Sequence, residues 1–338
     1  MIITENHPLV KENTFGIEAY ARFFIELDNV SEMKELLSTD QFRSMPQLVL
    51  GGGSNLLFTR DFSGVVLKNN IKGISLVKED EEHAYVRAGA GENWHQFVLH
   101  CIEENYAGIE NLSLIPGNIG AGPMQNIGAY GVELKDVFHE LEALNMETLE
   151  IETFSNTGCR FGYRESIFKQ EAKGKYIITS VTLRLNKKPK FNTSYGAIEK
   201  ELEQMGVQQL SIRAISDAVI RIRKSKLPDP TVIGNAGSFF KNPVVSTGKY
   251  ESLKKEFPAI VGYKNSETET KLAAGWLIEQ CGWKGKREGD AGVHKDQALV
   301  LVNYGHARGN EVFELSEKIL RSVKEKFGIT LEREVNIV

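Results

Sequence analysis

Ser238 stands in Gly234-Asn-Ala-Gly-Ser-Phe-Phe-Lys-Asn-Pro243, a run of small and polar residues with two aromatics, which can bring a backbone and a hydroxyl close to a reacting centre. No Gly-x-Ser-x-Gly elbow is present, so an acyl-transfer serine is not supported. By composition alone, a glycine turn whose serine closes a hydrogen bond is the commoner outcome. Two basic clusters offer partners for anions. Cys159-Arg-Phe-Gly-Tyr-Arg-Glu-Ser166 interleaves arginines with aromatics, and Arg223, Lys224 and Lys226 precede Pro228-Asp229-Pro230. Arginine forks match carboxylates bidentately and lysine serves phosphate as a point charge, although a solvated charged face is the common alternative. Glu334 lies in Leu331-Glu-Arg-Glu-Val335, where alternation suggests a final strand. Most terminal glutamates are simply exposed.

Two segments are rich in glycine: Gly51-Gly-Gly-Ser-Asn55, and Pro116-Gly-Asn-Ile-Gly-Ala-Gly-Pro-Met-Gln-Asn-Ile-Gly-Ala-Tyr-Gly131. Glycine permits positive φ and lets backbone N–H groups approach an anion, so such loops can cradle a diphosphate. Neither is a dinucleotide fingerprint and neither is followed by Gly-Lys-Ser/Thr, which excludes a P-loop. A glycine cluster is more often a tight turn than a phosphate site. Two of them shift the balance toward a ligand gripped from two sides.

Other chemistries are disfavoured. The seven histidines lack metal-ligand spacing, so no metal is expected. Cys101, Cys159 and Cys281 are odd in number, far apart and without a Cys-x-x-Cys pair, which fits reduced thiols rather than a disulfide framework or a zinc cage. A net charge of −4 with dispersed basic residues gives no general grip on nucleic acid or an anionic membrane. The amino-terminal residues resemble no signal peptide and no apolar run approaches a membrane span, so a cytoplasmic protein is expected.

The elements that must position these residues follow from periodicity. At 338 residues, two or three domains are the natural expectation. Val30 to Leu37 reads as a helix behind an Asn29/Ser31 cap, and Gln47 to Leu50 and Gly64 to Leu67 read as strands around the first glycine loop. From Ile71 to about Asn186 short β-branched runs surround one helix, Trp94 to Glu104, whose Trp94, Phe97, Val98, Cys101 and Ile102 share a face. A mostly antiparallel sheet fits there. Helices are expected at Ile198 to Met205, Ser216 to Lys224, about Lys271 to Cys281 and about Asn310 to Phe327, with a strand at Gln297 to Val302. The fold class is therefore α+β.

The ordered motifs Asn13-Thr-Phe-Gly16, Gly51-Gly-Gly-Ser-Asn-Leu56, Gly89-Ala-Gly-Glu-Asn-Trp94, Ile115-Pro-Gly117, Gln125-Asn-Ile-Gly-Ala-Tyr-Gly131, Cys159-Arg-Phe-Gly-Tyr-Arg164, Lys226-Leu-Pro-Asp-Pro230 and Gly237-Ser-Phe-Phe-Lys-Asn-Pro243 carry a resemblance. Together they closely resemble the UDP-N-acetylenolpyruvylglucosamine reductase (UDP-N-acetylmuramate dehydrogenase) family of peptidoglycan synthesis. The resemblance implies a two-part FAD-binding region of the vanillyl-alcohol-oxidase-like (PCMH-type) fold plus a C-terminal α+β substrate-binding domain. The implied divisions are 1–70, joined by a terminal strand 329–338, then 71–214 and 215–328. It implies non-covalent FAD held by Gly51, Gly52, Gly53, Ser54, Asn55, Pro116, Gly117, Ala121, Gly122, Gln125, Asn126, Gly128 and Tyr130, and NADPH as reductant.

By the same resemblance Arg164, Ser238 and Glu334 are catalytic. Tyr195, in Thr193-Ser-Tyr-Gly196, marks the subgroup in which a tyrosine loop covers the substrate. Tyr195, Lys226 and Asn242 are implied contacts to the diphosphate of the substrate UDP-N-acetylenolpyruvylglucosamine, joined by Tyr263, Lys271 and Gln297. Hydride would reach the terminal vinyl carbon, Arg164 would stabilise the resulting enolate-like charge, and Glu334 would hydrogen-bond that charge when protonated or orient Arg164. Ser238 would then give the proton. A monomer is expected. Arg333 stands where the family often has proline, and Ala121-Gly122 stand where it often has serines. Another flavoenzyme on the same fold and a non-catalytic nucleotide-sugar binding module are the competing readings.

Overall fold

A computed structural model describes residues 1–338. The chain divides into two units. The first comprises Met1–His7, Ala21–Gly52 and Ser63–Ser225, and the second comprises Pro8–Tyr20, Gly53–Phe62 and Lys226–Val338.

The centre of the first unit is a five-stranded antiparallel sheet in the order Ile151–Ser155, Phe138–Asn145, Tyr176–Asn186, His83–Gly89, Ile74–Glu79. The middle strand, Tyr176–Asn186, is buried along most of its length, as its continuous β-branched run demands of a strand covered on both faces. His83–Gly89 alternates instead, with Ala84, Val86 and Ala88 buried. Trp94–Glu103 forms the expected helix, capped by the Asn93 side chain, and its five apolar residues join this core. Each such side chain contributes about 1.5–3 kcal/mol on burial.

A second, four-stranded sheet in this unit pairs Gln47–Leu50 in parallel with Phe62–Asn69. Parallel pairing obliges the intervening glycine loop to begin a crossover rather than a hairpin. The helix Val30–Leu37 starts where the Asn29 side chain accepts the Glu32 N–H, and its Met33, Leu36 and Leu37 pack with Phe23, Ile25 and Phe42. Two further helices, Gly196–Gln204 and Ile212–Lys226, pack through Ile198, Leu202, Ile215, Val219 and Ile222. The second of them starts four residues before its expected beginning at Ser216.

The second unit is built on the four-stranded sheet Gly234–Ser238, Val300–Asn303, Ala291–Val293, Arg287–Glu288. The 19-residue helix Gly309–Phe327 buries Val312, Leu315, Ile319, Val323 and Phe327, and ends in a left-handed Gly328. A three-stranded sheet joins Val244–Ser246, Glu269–Leu272 and Gly262–Lys264.

Three expectations need correction. Lys271 lies in the strand Glu269–Leu272, and the helix begins only at Ala274. Ladder bonds to two flanking strands outweigh the local helical spacing there. The strand expected from Gln297 starts at Val300, because Gln297 instead forms a turn whose carbonyl accepts the Val300 N–H. The expected strand Leu331–Val335 reduces to one bridge, Arg333 with Phe240, followed by the short strand Asn336–Ile337 beside Leu56–Leu57.

Candidate active site

In the first unit the two glycine loops touch. A Cβ on Gly52 would lie 2.9 Å from the Cα of Gly117 and 3.1 Å from the Asn118 side-chain oxygen, so only glycine permits the approach. The second loop is pinned from beneath, with Ile119 N–H and Gly120 N–H donating to the carbonyls of Glu92 and Ala90 at 2.8 and 2.9 Å. Ala121 and Gly122 close the next turn onto Asn118 and Ile119. The N–H groups of Gly52, Gly117 and Asn118 have no acceptor in the protein. Nor have those of Gly53 and Ser54 in the second unit. Backbone donors are rarely left without an acceptor. Within the first unit, the donors of Gly52, Gly117 and Asn118 fit an anionic group such as a diphosphate, and hence the dinucleotide cofactor the resemblance implies.

Asn126 and Tyr130 hold the far end of the second loop, both with left-handed φ. The fully buried Asn126 amide donates to the Glu133 carboxylate at 3.2 Å and the Gly162 carbonyl at 3.0 Å, while its oxygen accepts the Lys135 N–H. Asn126 therefore ties the glycine loop to the turn that carries Arg164. Arg164 has φ 55°, and its guanidinium donates to the Gly128 carbonyl at 2.7 Å and lies 5.5 Å from the Tyr163 ring centre. The Tyr195 ring meets Tyr130 edge-on at 5.4 Å. Buried Asn111 supports both, its amide donating at 2.9 Å to the carbonyls of Tyr130 and Asn192. Burial raises the Tyr130 phenol above its ordinary range.

In the second unit Ser238 ends the strand Gly234–Ser238 and faces Val300 across a bulge, so it sits in a strand rather than the turn its composition favoured. The next residues, Phe239 and Phe240, are buried and pack edge-on at 5.3 Å, anchoring the strand end. Phe239 N–H donates to Leu299 on one side, and its carbonyl accepts the Glu334 N–H at 2.9 Å on the other. Ser238 and Glu334 are thereby brought to neighbouring chain segments. Asn55 joins them, its amide donating to the Glu334 carbonyl at 3.3 Å and its own carbonyl accepting the Asn336 N–H at 3.1 Å.

Arg333 anchors this terminal segment to the long helix. Its side chain donates to Ser316 at 2.9 Å, pairs with Glu317 and lies 4.6 Å from the Phe313 ring centre. The motif Asn13-Thr-Phe-Gly also has a role that spacing alone did not reveal. Thr14 N–H donates to the Gly53 carbonyl at 3.1 Å and its hydroxyl to the Asn235 carbonyl at 2.7 Å, strapping the first glycine loop to the Ser238 strand. The signal available was a pair of polar residues beside a glycine.

Asn242 accepts the Ala274 N–H at 2.9 Å, which fixes its amide so that its nitrogen, without a protein acceptor, is the free end. Gln297 reaches the same helix start, where its oxygen would sit 3.3 Å from a Cβ on Gly275. Lys271 and Tyr263 are direct cross-strand partners just before that helix. Asn242, Gln297, Lys271 and Tyr263 thus surround one corner of the second unit. Lys226 opens that unit at the end of the helix Ile212–Lys226.

Residues 21–153 match an FAD binding domain, and residues 229–338 match the C-terminal domain of UDP-N-acetylenolpyruvoylglucosamine reductase. A reductase of that name from Flavobacterium johnsoniae is 51% identical over the whole of both chains, and one from Amoebophilus asiaticus is 53% identical, again over the whole of both. The crystal structure of UDP-N-acetylenolpyruvylglucosamine reductase from Thermus caldophilus superposes with a TM-score of 0.66 at 24% identity, covering 99% of this chain and 98% of that one, and it shows the shared fold. Sharing half its residues with full-length relatives, the chain belongs to the UDP-N-acetylenolpyruvoylglucosamine reductase family, FAD-dependent oxidoreductases of peptidoglycan precursor synthesis.

Proposed function

We propose that this protein reduces the enolpyruvyl double bond of UDP-N-acetylenolpyruvylglucosamine, giving UDP-N-acetylmuramate at the expense of NADPH. FAD, when bound, supplies a hydride carrier between NADPH and the terminal vinyl carbon. The glycine loops, from Gly51 to Asn55 and from Pro116 to Tyr130, hold its diphosphate through backbone N–H groups. Arg164 stabilises the enolate-like charge that develops on the substrate carboxylate, a role for which a preorganised guanidinium in a water-poor site suits. Glu334, as the neutral acid, donates a hydrogen bond to the same oxygen. Ser238 gives its hydroxyl proton to the carbon next to the one that received hydride, completing reduction of the double bond. That centre is basic enough for an ordinary serine hydroxyl to serve, so position matters more than acidity.

Tyr195, Lys226 and Asn242 receive the substrate diphosphate, with Tyr263, Lys271 and Gln297 around the rest of the nucleotide. Tyr195 acts from a loop that covers the substrate. The three-part division at residues 70 and 214, a monomeric state and a cytoplasmic location belong to the same reading. No helix of the chain is long and apolar enough to cross a membrane.

The observation that carries this reading is the bond from Glu334 N–H to the Phe239 carbonyl, which draws a carboxylate residue from the chain's far end to the strand that bears Ser238. The test separates the half-reactions in a stopped-flow instrument. Ser238→Ala should leave reduction of the bound flavin by NADPH unchanged and slow its reoxidation by the enolpyruvyl sugar by about 10²–10⁴-fold. Equal slowing of both halves would remove Ser238 from the proton-donor role.

A further inference from the structure

Arg223 is half-buried, and this burial pushes its guanidinium below the ordinary arginine range. Its one hydrogen bond within the protein runs from Nε to the Leu114 carbonyl at 3.2 Å, and no carboxylate lies within ion-pair distance of it. No enclosed side-chain nitrogen of the protein lacks a partner, so the remaining guanidinium nitrogens open onto accessible space.

The surroundings add no negative charge. Leu114 has a left-handed φ of 58°, and its N–H donates to His95 Nδ1 at 3.0 Å, so the peptides on either side of Leu114 are held by histidine and by arginine. Burial and the neighbouring Arg223 and Lys224 charges together hold His95 below its ordinary range, which keeps it neutral and able to accept that bond. The Tyr130 phenol is the other polar group within electrostatic reach of the guanidinium. Partial burial of a cation without an anion has a cost, and a fork with free N–H groups is matched by phosphate oxygens.

We propose that Arg223 forms an additional binding point for a phosphate group of the enzyme's ligands. This rests on the reading that the protein takes FAD and a nucleotide sugar. Leu114 leads directly into the loop whose Gly117 and Asn118 N–H groups lack acceptors, so the flavin diphosphate is the favoured occupant. The substrate diphosphate offers the same chemistry.

The holoenzyme tests the assignment through Arg223→Gln, with Arg223→Lys retaining the charge but not the fork. FAD release is followed by the gain of flavin fluorescence on dilution, at several salt concentrations. The expected result is at least tenfold weaker retention in Arg223→Gln, an intermediate value in Arg223→Lys, and a shallower salt dependence in the glutamine variant because one ionic contact is gone. Retained FAD with a tenfold higher KM for the sugar nucleotide, salt dependence again reduced, gives the site to the substrate diphosphate. Folding is checked by circular dichroism and by the urea unfolding midpoint. FAD retention and both substrate KM values within twofold of wild type in a folded Arg223→Gln protein would overturn the proposal. Wild-type protein that binds no flavin and turns over no enolpyruvyl sugar would instead sink the functional reading on which it rests.

Discussion

Gly53→Ala has a cost that can be worked directly from the structure. Gly53 has φ +63°, and a methyl group there would sit 1.9 Å from the Glu12 carbonyl oxygen and 2.8 Å from its carbonyl carbon. The left-handed conformation alone costs alanine about 1–2 kcal/mol. Carbon approaches a carbonyl oxygen to about 3.3 Å, so one backbone must retreat by more than an ångström. That retreat breaks the 3.1 Å bond from Thr14 N–H to the Gly53 carbonyl and weakens the Thr14 hydroxyl bond to Asn235, each worth about 1 kcal/mol. The loss comes to about 3–4 kcal/mol, at the severe end for a single substitution.

Gly237→Ala is the matched control. Gly237 has φ +70° with no atom within 4 Å of the added methyl, so only the conformational cost of about 1–2 kcal/mol applies. Urea unfolding followed by circular dichroism and tryptophan fluorescence should place Gly53→Ala about 2 kcal/mol below Gly237→Ala, which is the difference of the two costs. On the proposed function, Gly53→Ala should also be purified with less flavin. Equal stabilities of the two variants would refute the argument, because the close approach of Gly53 to Glu12 would then cost nothing.

Arg333→Ala removes the contacts to Ser316, Glu317 and Phe313 and should lower stability by about 1–2 kcal/mol, with a fall in turnover larger than any change in KM as Glu334 loses its anchor. A thiol reagent at pH 8 should modify one cysteine in the native protein and three after unfolding. Cys101 and Cys159 are buried, burial pushing the Cys159 thiol to about 12 and Cys101 also upward, whereas Cys281 is partly accessible. Glu110 is buried without a cation, and burial raises its carboxyl above the ordinary range despite the 2.6 Å bond from Gly108 N–H. Folding then favours the protonated form. Its contribution is complete below the unfolded carboxyl range and is lost as pH rises through the higher folded value. Glu110→Gln, which cannot ionise, should therefore gain stability over wild type as pH rises through that window; parallel stability curves for the two proteins would remove Glu110 as the source.

Local pattern was enough where one element buries one face. The spacing of Trp94, Phe97, Val98, Cys101 and Ile102 identified their helix to within a residue, and the β-branched run near Ile177 identified a buried strand. It failed where a partner distant in sequence decides the conformation. Lys271 has helix-compatible neighbours, yet Val244 and Tyr263 pair with it from both sides and extend it. The terminal segment alternates like a strand, but Arg333 holds it to the long helix through its side chain, leaving a single bridge to Phe240.

The same limit governs the site. Asn126 and Asn242 are the same residue type, and motif order assigned each to a ligand. Partners distinguish them. The Asn126 amide spends its nitrogen on Glu133 and Gly162 and its oxygen on Lys135, so its loss acts through the turn that aims Arg164. The Asn242 amide spends only its oxygen, on Ala274, and its nitrogen has no acceptor within the protein. Substitution of the first must disturb structure before it disturbs binding, whereas on the proposed function replacement of the second by aspartate keeps the helix contact, turns the free donor into a charge that repels the substrate diphosphate, and should raise KM for the sugar nucleotide.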